Sequence, residues 1–312
     1  KILVLRLSSF GDIVLTFPFL NELRRLYPQL QIDFVVKEQY AELVRLHKSV
    51  NNIIVYNDSL SLNENKYDVV FDLQRNIKSR KILPSIDKIF KVRKETWKKH
   101  LLVYTKINLL KEPIPVYSKY LNALKEFNCS TKTEFTKSEL ITMDTNYLNG
   151  EYAILSPSSK HFTKRFPKEL YVDIFKDVKL KIALTGDNNE TDKSICAFLE
   201  SKLKNSINLC GMLNYGELAG IISNAKFVLC NDSGVLHLAE TLGKKTFVTF
   251  GSTVREFGFF PQLDSTEVEE ILGLKCRPCS HIGRSKCPKG HFNCMNSIDN
   301  GLIKERIMGF GE

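Results

Sequence analysis

Four short stretches of this chain place reactive residue types where an apolar run gives way to a helix. The first is Ser8-Ser9-Phe10-Gly11-Asp12, between the apolar runs Ile2–Leu5 and Ile13–Leu20. Gly11 lets the backbone turn sharply into a helix beginning near Asp12 or Ile13. Asp12 reads either as the cap of that helix or as an acid that accepts a proton. The second runs from Ser156 to Pro167 and carries Ser158, Ser159, Thr163, Lys160, Lys164 and Arg165 ahead of a helix. Hydroxyls, amides and ammonium groups at a helix start make an anion site suited to phosphates, and a plain basic surface loop is the alternative. In the third, Gly186 turns the chain and Glu190 opens a helix, where an acid can take a ribose hydroxyl pair or serve as a helix-start charge. The fourth is Asp232-Ser233-Gly234 with His237 one turn on; the Ser233 and Gly234 amides suit a diphosphate, and Gly234 permits close approach.

The elements that must position these turns alternate. Strand candidates Ile2–Leu5, Ile32–Val36, Ile53–Tyr56 and Val69–Leu73 are separated by segments with helical spacing, Phe19–Leu26 and Tyr40–His47 among them. A polar stretch at Met143–Gly150 interrupts the pattern. It restarts with strands at Tyr152–Leu155, Lys181–Leu184, Ile207–Leu209, Phe227–Cys230 and Phe247–Phe250, and with helices at Lys168–Val178, Glu190–Leu203, Tyr215–Ser223 and Val235–Leu242. This is an α/β chain of two successive doubly wound, Rossmann-like domains joined near residue 150. In such domains ligands sit at the carboxyl ends of the strands, where the four stretches fall.

Composition narrows the function. The 312 residues are 43% hydrophobic and 26% charged, which suits a soluble globular protein. No apolar run approaches the roughly 20 residues that span a bilayer and no signal-peptide layout is present, so a cytoplasmic protein is expected. Of the net charge of +10, residues 1–150 supply most, with 24 Lys and Arg against 16 Asp and Glu. Its densest run, Lys91–His100, includes Trp97; it suits a polyanion, a phosphorylated ligand or an anionic membrane surface, or is a solvated helix face. No G-x-G-x-x-G follows a strand, and neither G-x-x-x-x-G-K-[ST] nor H-E-x-x-H occurs, so nicotinamide, P-loop and zincin chemistry lack their signals. Cys129, Cys196, Cys210 and Cys230 are scattered and read as small buried apolar residues. Cys276 and Cys279 form a C-x-x-C, one half of a common zinc site, whereas Cys287 and Cys294 are spaced C-x6-C.

Five stretches in order, RLSSFGDIVLTFPFL, YDVVFDLQRNIKSR, SPSSKHFTKRFP, TGDNNE and NDSGVLHLAETLGKKTFVTFGST, give the chain its resemblance to glycosyltransferase family 9, the ADP-heptose:lipopolysaccharide heptosyltransferases. The tail cysteines are similar to those of its second-heptosyltransferase-like branch. The resemblance implies a GT-B fold: residues 1–149 an acceptor-binding domain, 150–299 a nucleotide-sugar-binding domain facing it across a cleft, and 300–312 a helix packing back toward the first. It implies inverting transfer of heptose from ADP-L-glycero-D-manno-heptose to the lipopolysaccharide inner core. Asp12 is then the general base, with Ser9, Gly11, Gln74 and Lys78 on the acceptor side. Ser158, Ser159, Lys164, Glu190, Asp232, Ser233, Gly234 and His237 bind the donor.

No metal and no cofactor are expected in catalysis, because Lys164, the amides at Asp232-Ser233-Gly234 and helix dipoles can balance a departing diphosphate. The expected partners are ADP-heptose and a phosphorylated core or Kdo-lipid A acceptor, met at the inner face of the cytoplasmic membrane. Two rivals remain: a family member using another nucleotide sugar or a protein acceptor, and a non-catalytic nucleic-acid-binding protein prompted by Lys91–His100, for which no module signature is present.

Overall fold

The computed structural model describes residues 1–62, 66–83 and 88–309. They form two compact units, Lys1–Glu95 with Ile114–Thr142, and Thr96–Pro113 with Met143–Glu312.

The first unit begins with β1 (Ile2–Leu5), buried along its whole length. Next come α1 (Phe10–Val14), α2 (Phe17–Leu26), β2 (Ile32–Lys37), α3 (Ala41–Arg45), β3 (Asn52–Tyr56), β4 (Val69–Asp72), α4 (Ile77–Ile82) and β5 (Ile89–Lys91). The five strands are parallel in the order β3-β2-β1-β4-β5, so the chain winds outward from β1 in both directions. β-branched and aromatic residues form these strands because both faces of a parallel sheet are covered. α2 starts with Phe17-Pro18, a place where proline's missing N–H costs nothing. Its Phe19 meets Phe71 of β4 edge-on at 5.0 Å. His47 is also buried here: one ring nitrogen lies 3.1 Å from Asn21 Oδ1, the other accepts from the Ser49 amide, and burial pushes the imidazole down to about 4.

Thr96–Pro113 carries α5 (Thr96–Thr105), and the chain then returns to the first unit with α6 (Val116–Phe127). The second unit continues with β6 (Tyr152–Ser156), α7 (Lys168–Phe175), β7 (Lys181–Leu184), α8 (Glu190–Lys202), β8 (Ser206–Asn208), α9 (Tyr215–Asn224), β9 (Val228–Asn231), α10 (Gly234–Thr241), β10 (Thr246–Phe250), β11 (Thr266–Glu270), α11 (Asn293–Asn296) and α12 (Asn300–Met308). Its parallel order is β11-β10-β9-β6-β7-β8, again reversing direction beside its first strand.

Two expectations about organisation need correction. A single boundary near residue 150 misplaces Thr96–Pro113, whose Leu102, Val103 and Leu110 are buried with Phe257 in the second unit. Lys99 also donates to the Phe257 carbonyl at 2.6 Å and Asn108 to Glu256 at 3.0 Å. The C-terminal helix, expected to pack back toward the first domain, is part of the second unit: Ile303 and Ile307 enter its core, Lys304 pairs with Asp177 at 2.5 Å and Arg306 with Glu267 at 3.2 Å. Residues 310–312 of that expected segment lie outside the described residues. Among the scattered cysteines, Cys196 and Cys230 are buried as expected, but Cys129 is exposed.

Candidate active site

A doubly wound sheet offers one place where neighbouring strands send their connections to opposite faces, and polar turns there can converge on a ligand. In the first unit that place is between β1 and β4, whose ends are level, Leu5 beside Asp72. Arg6, the residue after β1, is 8% exposed, and its guanidinium is used in three directions. Nε donates to the Ser8 carbonyl at 2.8 Å, one terminal nitrogen to the Leu73 carbonyl at 2.8 Å, and the other reaches Asp12 Oδ1 at 2.8 Å. Burial works against the Arg6 charge, but Asp12 outweighs it with help from Tyr120 and Asp72, so the guanidinium is held charged. The Ser9 hydroxyl donates to Asp12 Oδ2 at 2.9 Å.

Helix α1 begins earlier than expected. Ser9 is its cap, Gly11 lies inside its first turn rather than in a bend before it, and Asp12 is the third helical residue. Gln74 is a brace between the two strand ends, its Oε1 accepting from the Leu7 amide at 2.9 Å. Lys78 is not brought to this turn: it lies 3.8 Å from Asp58 and over the Tyr56 ring. Asp72 accepts from the amides of Gln74 and Arg75 at 3.1 and 2.7 Å and from the Ser79 hydroxyl at 2.9 Å. Lys94 donates to the Gln74 and Arg75 carbonyls at 2.6 and 3.2 Å; burial and then Arg6 push its ammonium down, against the pull of Asp12 and Asp72.

The second unit repeats the arrangement where β6 and β9 lie side by side, Ser156 level with Cys230. Asn231, wholly buried at the end of β9, ties the turns together. Its amide nitrogen donates to the Pro157 carbonyl at 2.9 Å, and its oxygen accepts from the Phe166 amide at 2.9 Å and the Thr249 hydroxyl at 2.8 Å. This holds the loop from Ser158 to Arg165 against the start of α10. Across it Lys164 Nζ meets Asp232 Oδ2 at 2.7 Å, and the Thr253 hydroxyl donates to the same oxygen at 2.6 Å. Burial opposes the Asp232 charge, but the Lys164 ammonium and the two hydrogen bonds hold this carboxyl below the usual range. Ser233 caps α10, and its buried hydroxyl has no hydrogen-bond partner among the described residues. Gly234 is the first helical residue, and His237 is buried one turn in, its ring 6.1 Å from Phe259.

Behind this loop, Gly251 leaves room for the Thr163 carbonyl, which a Cβ there would meet at 2.7 Å. Ser252 donates its amide to that carbonyl at 3.2 Å, and the Arg284 amide donates to the Thr163 hydroxyl at 2.8 Å. Glu190 is exposed at the start of α8, with Asn189 as the cap. The half-turn after it holds a residue that sequence reading missed. Asp192 is buried and accepts from the Ser158 hydroxyl at 2.5 Å and the Asp187 amide at 2.8 Å. Its signal was the Asn189-x-x-Asp192 spacing of a capped helix start. Ser159 is buried, and its carbonyl accepts from Arg165 Nε at 2.6 Å. Cys276, Cys279, Cys287 and Cys294 line one small cavity with His291 and Phe292. Among the described residues no three His, Cys, Asp or Glu side chains are set to hold a metal ion. The thiols are free, and burial pushes Cys294 up to about 11.

The structure of Escherichia coli heptosyltransferase WaaC with ADP matches over 99% of both chains with a TM-score of 0.73 at 18% identity. The fold is thus that of the GT-B glycosyltransferases. Sequence carries the assignment further: residues 59–288 match glycosyltransferase family 9 (heptosyltransferase), and the chain belongs to that family. Lipopolysaccharide heptosyltransferase 1 of Campylobacter coli is 22% identical, with 98% of each chain covered. Its namesake from Escherichia coli K12 is 23% identical, over 81% of this chain and 88% of its own.

Proposed function

We propose that this glycosyltransferase moves heptose from ADP-L-glycero-D-manno-heptose to the inner core of lipopolysaccharide, with inversion at the anomeric carbon. The observation that carries the reading is the Lys164–Asp232 pair at 2.7 Å beside the start of α10. A lysine steered by a buried carboxylate, next to helix amides and a Ser233 hydroxyl without a partner among the described residues, suits a diphosphate. Ser158, Ser159, Gly234 and His237 complete that donor locus, and Glu190 takes the adenosine ribose. In the first unit Asp12 removes the proton from the acceptor hydroxyl. As that oxygen bonds to the anomeric carbon, the bond to the diphosphate breaks and its electrons leave with ADP, whose growing charge Lys164 and the amides of α10 stabilise. Ser9, Gly11 and Gln74 shape the acceptor turn; Lys78, set beside Asp58, can meet an acidic group only farther along the acceptor.

Relatives named as lipopolysaccharide heptosyltransferases support the donor and acceptor classes. No helix among the described residues is long and apolar enough to cross a membrane. A lipid-linked acceptor therefore implies peripheral contact with the anionic inner face of the cytoplasmic membrane, to which the positive charge of residues 1–150 is suited. The test is mass-resolved transfer from ADP-heptose to defined core acceptors, with other sugar nucleotides and peptide acceptors in parallel; heptose transfer to the core acceptor is expected, and its absence alongside transfer of another sugar overturns the reading.

The reaction is also proposed to need no divalent cation. Asp232 is committed to Lys164 and Thr253, and Asp12 to Arg6 and the acceptor proton, so charge balance at the diphosphate falls to Lys164 and the helix amides. Transfer by EDTA-treated, still-folded protein should match transfer with added magnesium. Loss on treatment that magnesium restores refutes this mechanism.

A further inference from the structure

We infer that Arg6 is a positioning residue for the proton acceptor: its guanidinium grips Asp12 Oδ1 and so fixes the direction of the carboxylate, whose Oδ2 accepts from the Ser9 hydroxyl. The inference rests on the proposed role of Asp12 and adds a residue to which the sequence reading gave no role. An arginine sealed into the end of a sheet loses hydration, so its presence needs a reason. Here each edge of the planar group has an assigned partner: the Ser8 carbonyl, the Leu73 carbonyl and Asp12, all at 2.8 Å. The Ser8 carbonyl lies in the turn after β1 and the Leu73 carbonyl just past β4, so the third edge is aimed by the chain leaving the two strands. Below the guanidinium, the Tyr120 ring of α6 lies 5.7 Å away, and the buried Tyr120 hydroxyl has no hydrogen-bond partner among the described residues. A lysine supplies one charge at this place but not a fork that is held at two points while it grips at the third.

Other charged groups surround the pair and must be counted. Lys94, from the connection after β5, is coupled to Asp12 and Arg6, while Asp72 at the end of β4 is coupled to Arg6 and Lys94, and Arg75 in the turn after it to Lys94. Tyr120 faces Arg6 and Asp12 from α6, where burial pushes its hydroxyl up. Lys94 remains when Arg6 is changed, so part of the positive field persists. What is lost is direction and the nearest charge.

The experiment compares Arg6→Gln, which keeps a donor for the Leu73 carbonyl but carries no charge, with Arg6→Lys, which keeps a charge but no fork. Folding is checked by circular dichroism. In substrate-free protein with carbon-13-labelled aspartate, Asp12 is assigned by comparison with Asp12→Asn. Arg6→Gln is expected to move the Asp12 titration midpoint upward by about one pH unit, and Arg6→Lys to leave it near the wild-type value. In transfer assays Arg6→Gln should lower kcat by about 10- to 100-fold with the donor KM within twofold, and shift the acid limb of the pH–rate profile upward by the same unit. Arg6→Lys should keep the wild-type acid limb and still lose about tenfold in kcat, the cost of misdirection alone. If Arg6→Gln titrates and turns over like the wild type, Arg6 does not position Asp12. If both variants lose activity equally with no movement of the acid limb or the midpoint, Arg6 only supports the fold and the inference also fails. A wild-type protein that does not use ADP-heptose, with the midpoint still shifting in Arg6→Gln, would overturn the sugar assignment and leave the role of Arg6 standing.

Discussion

The two units each place an ion pair at the end of a central strand, but with opposite polarity of exposure. In the first, the side chain of Arg6 is 10% exposed and that of Asp12 20%. In the second, Asp232 is 4% exposed and Lys164 14%. The inner member is in each case the fixed one, gripped by sequence-distant groups, and the outer member is the one a ligand can reach. An outward carboxylate suits removing a proton, whereas an outward ammonium suits meeting a phosphate. On the proposed mechanism, one architectural device serves as the base in one unit and as the anion site in the other, according to which charge is buried.

This contrast can be broken by experiment. The largest effect is expected at the outward acid: Asp12→Asn should cut turnover by about two to four orders of magnitude while ADP binding, measured by calorimetry, stays within twofold. Normal turnover would reduce Asp12 to part of the helix cap. Next is a difference in acid stability. His47, in the first unit, has its imidazole depressed to about 4 from an ordinary value of 6.5. The unfolded chain therefore binds a proton that the folded one refuses, and the first unit should lose on the order of 3 kcal/mol as pH falls from 6.5 toward 4. Asp232 acts in the same direction but in a lower window, since its depressed carboxyl contributes stability above the unfolded value near 4 that is lost only below it. Hydrogen exchange at pH 7 and pH 5 should then show β2 amides weakening and β9 amides unchanged, with His47→Gln removing most of the difference.

Smaller effects sharpen the donor side. Lys164→Ala should weaken ADP by about 30-fold and adenosine hardly at all. It also leaves Asp232 buried without its counter-charge, so the melting temperature should fall. Adding Asp232→Asn should restore the melting temperature and leave ADP binding weak; restored binding would show that Lys164 acts through Asp232 rather than on phosphate. The smallest change is expected for Glu190→Gln, about fivefold in binding both ADP and adenosine. A loss for ADP alone would reverse the assigned orientation of the nucleotide.

The outward members were legible in the sequence because they stand in polar turns directly after apolar strands. Asp12 and Lys164 needed only that local pattern, and so did Asp232, the inner member of the second pair. The groups that hold these pairs in place were not legible in the same way. Arg6 looks like a surface charge at the end of a strand, and its meaning depends on Leu73, which only the pairing of β1 with β4 brings near. Thr253 and Asn231 likewise act through atoms far away in sequence. The succession of strands and helices was readable from their alternation, whereas the order within each sheet was not; edge strands such as β11 were hidden too, where Thr-Glu-Val-Glu-Glu forms a strand whose Glu267 is balanced by Lys245 and Arg306. Helix α5 was obscured by its charge: Lys91–His100 drew attention to a basic face, while Leu102 and Val103 on the buried side decide where the helix belongs.

That helix has a consequence for dissecting the molecule. Because Thr96–Pro113 belongs to the second unit and is flanked on both sides by chain of the first, no single cut yields two intact halves. A fragment ending at Thr142 carries a stray strip whose Leu102, Val103 and Leu110 have lost Phe257, and the complementary fragment leaves Phe257, Val254 and Phe259 without them. Each piece would be sticky in isolation, and genetic splitting of this enzyme calls for excising the strip from one gene fragment and grafting it onto the other.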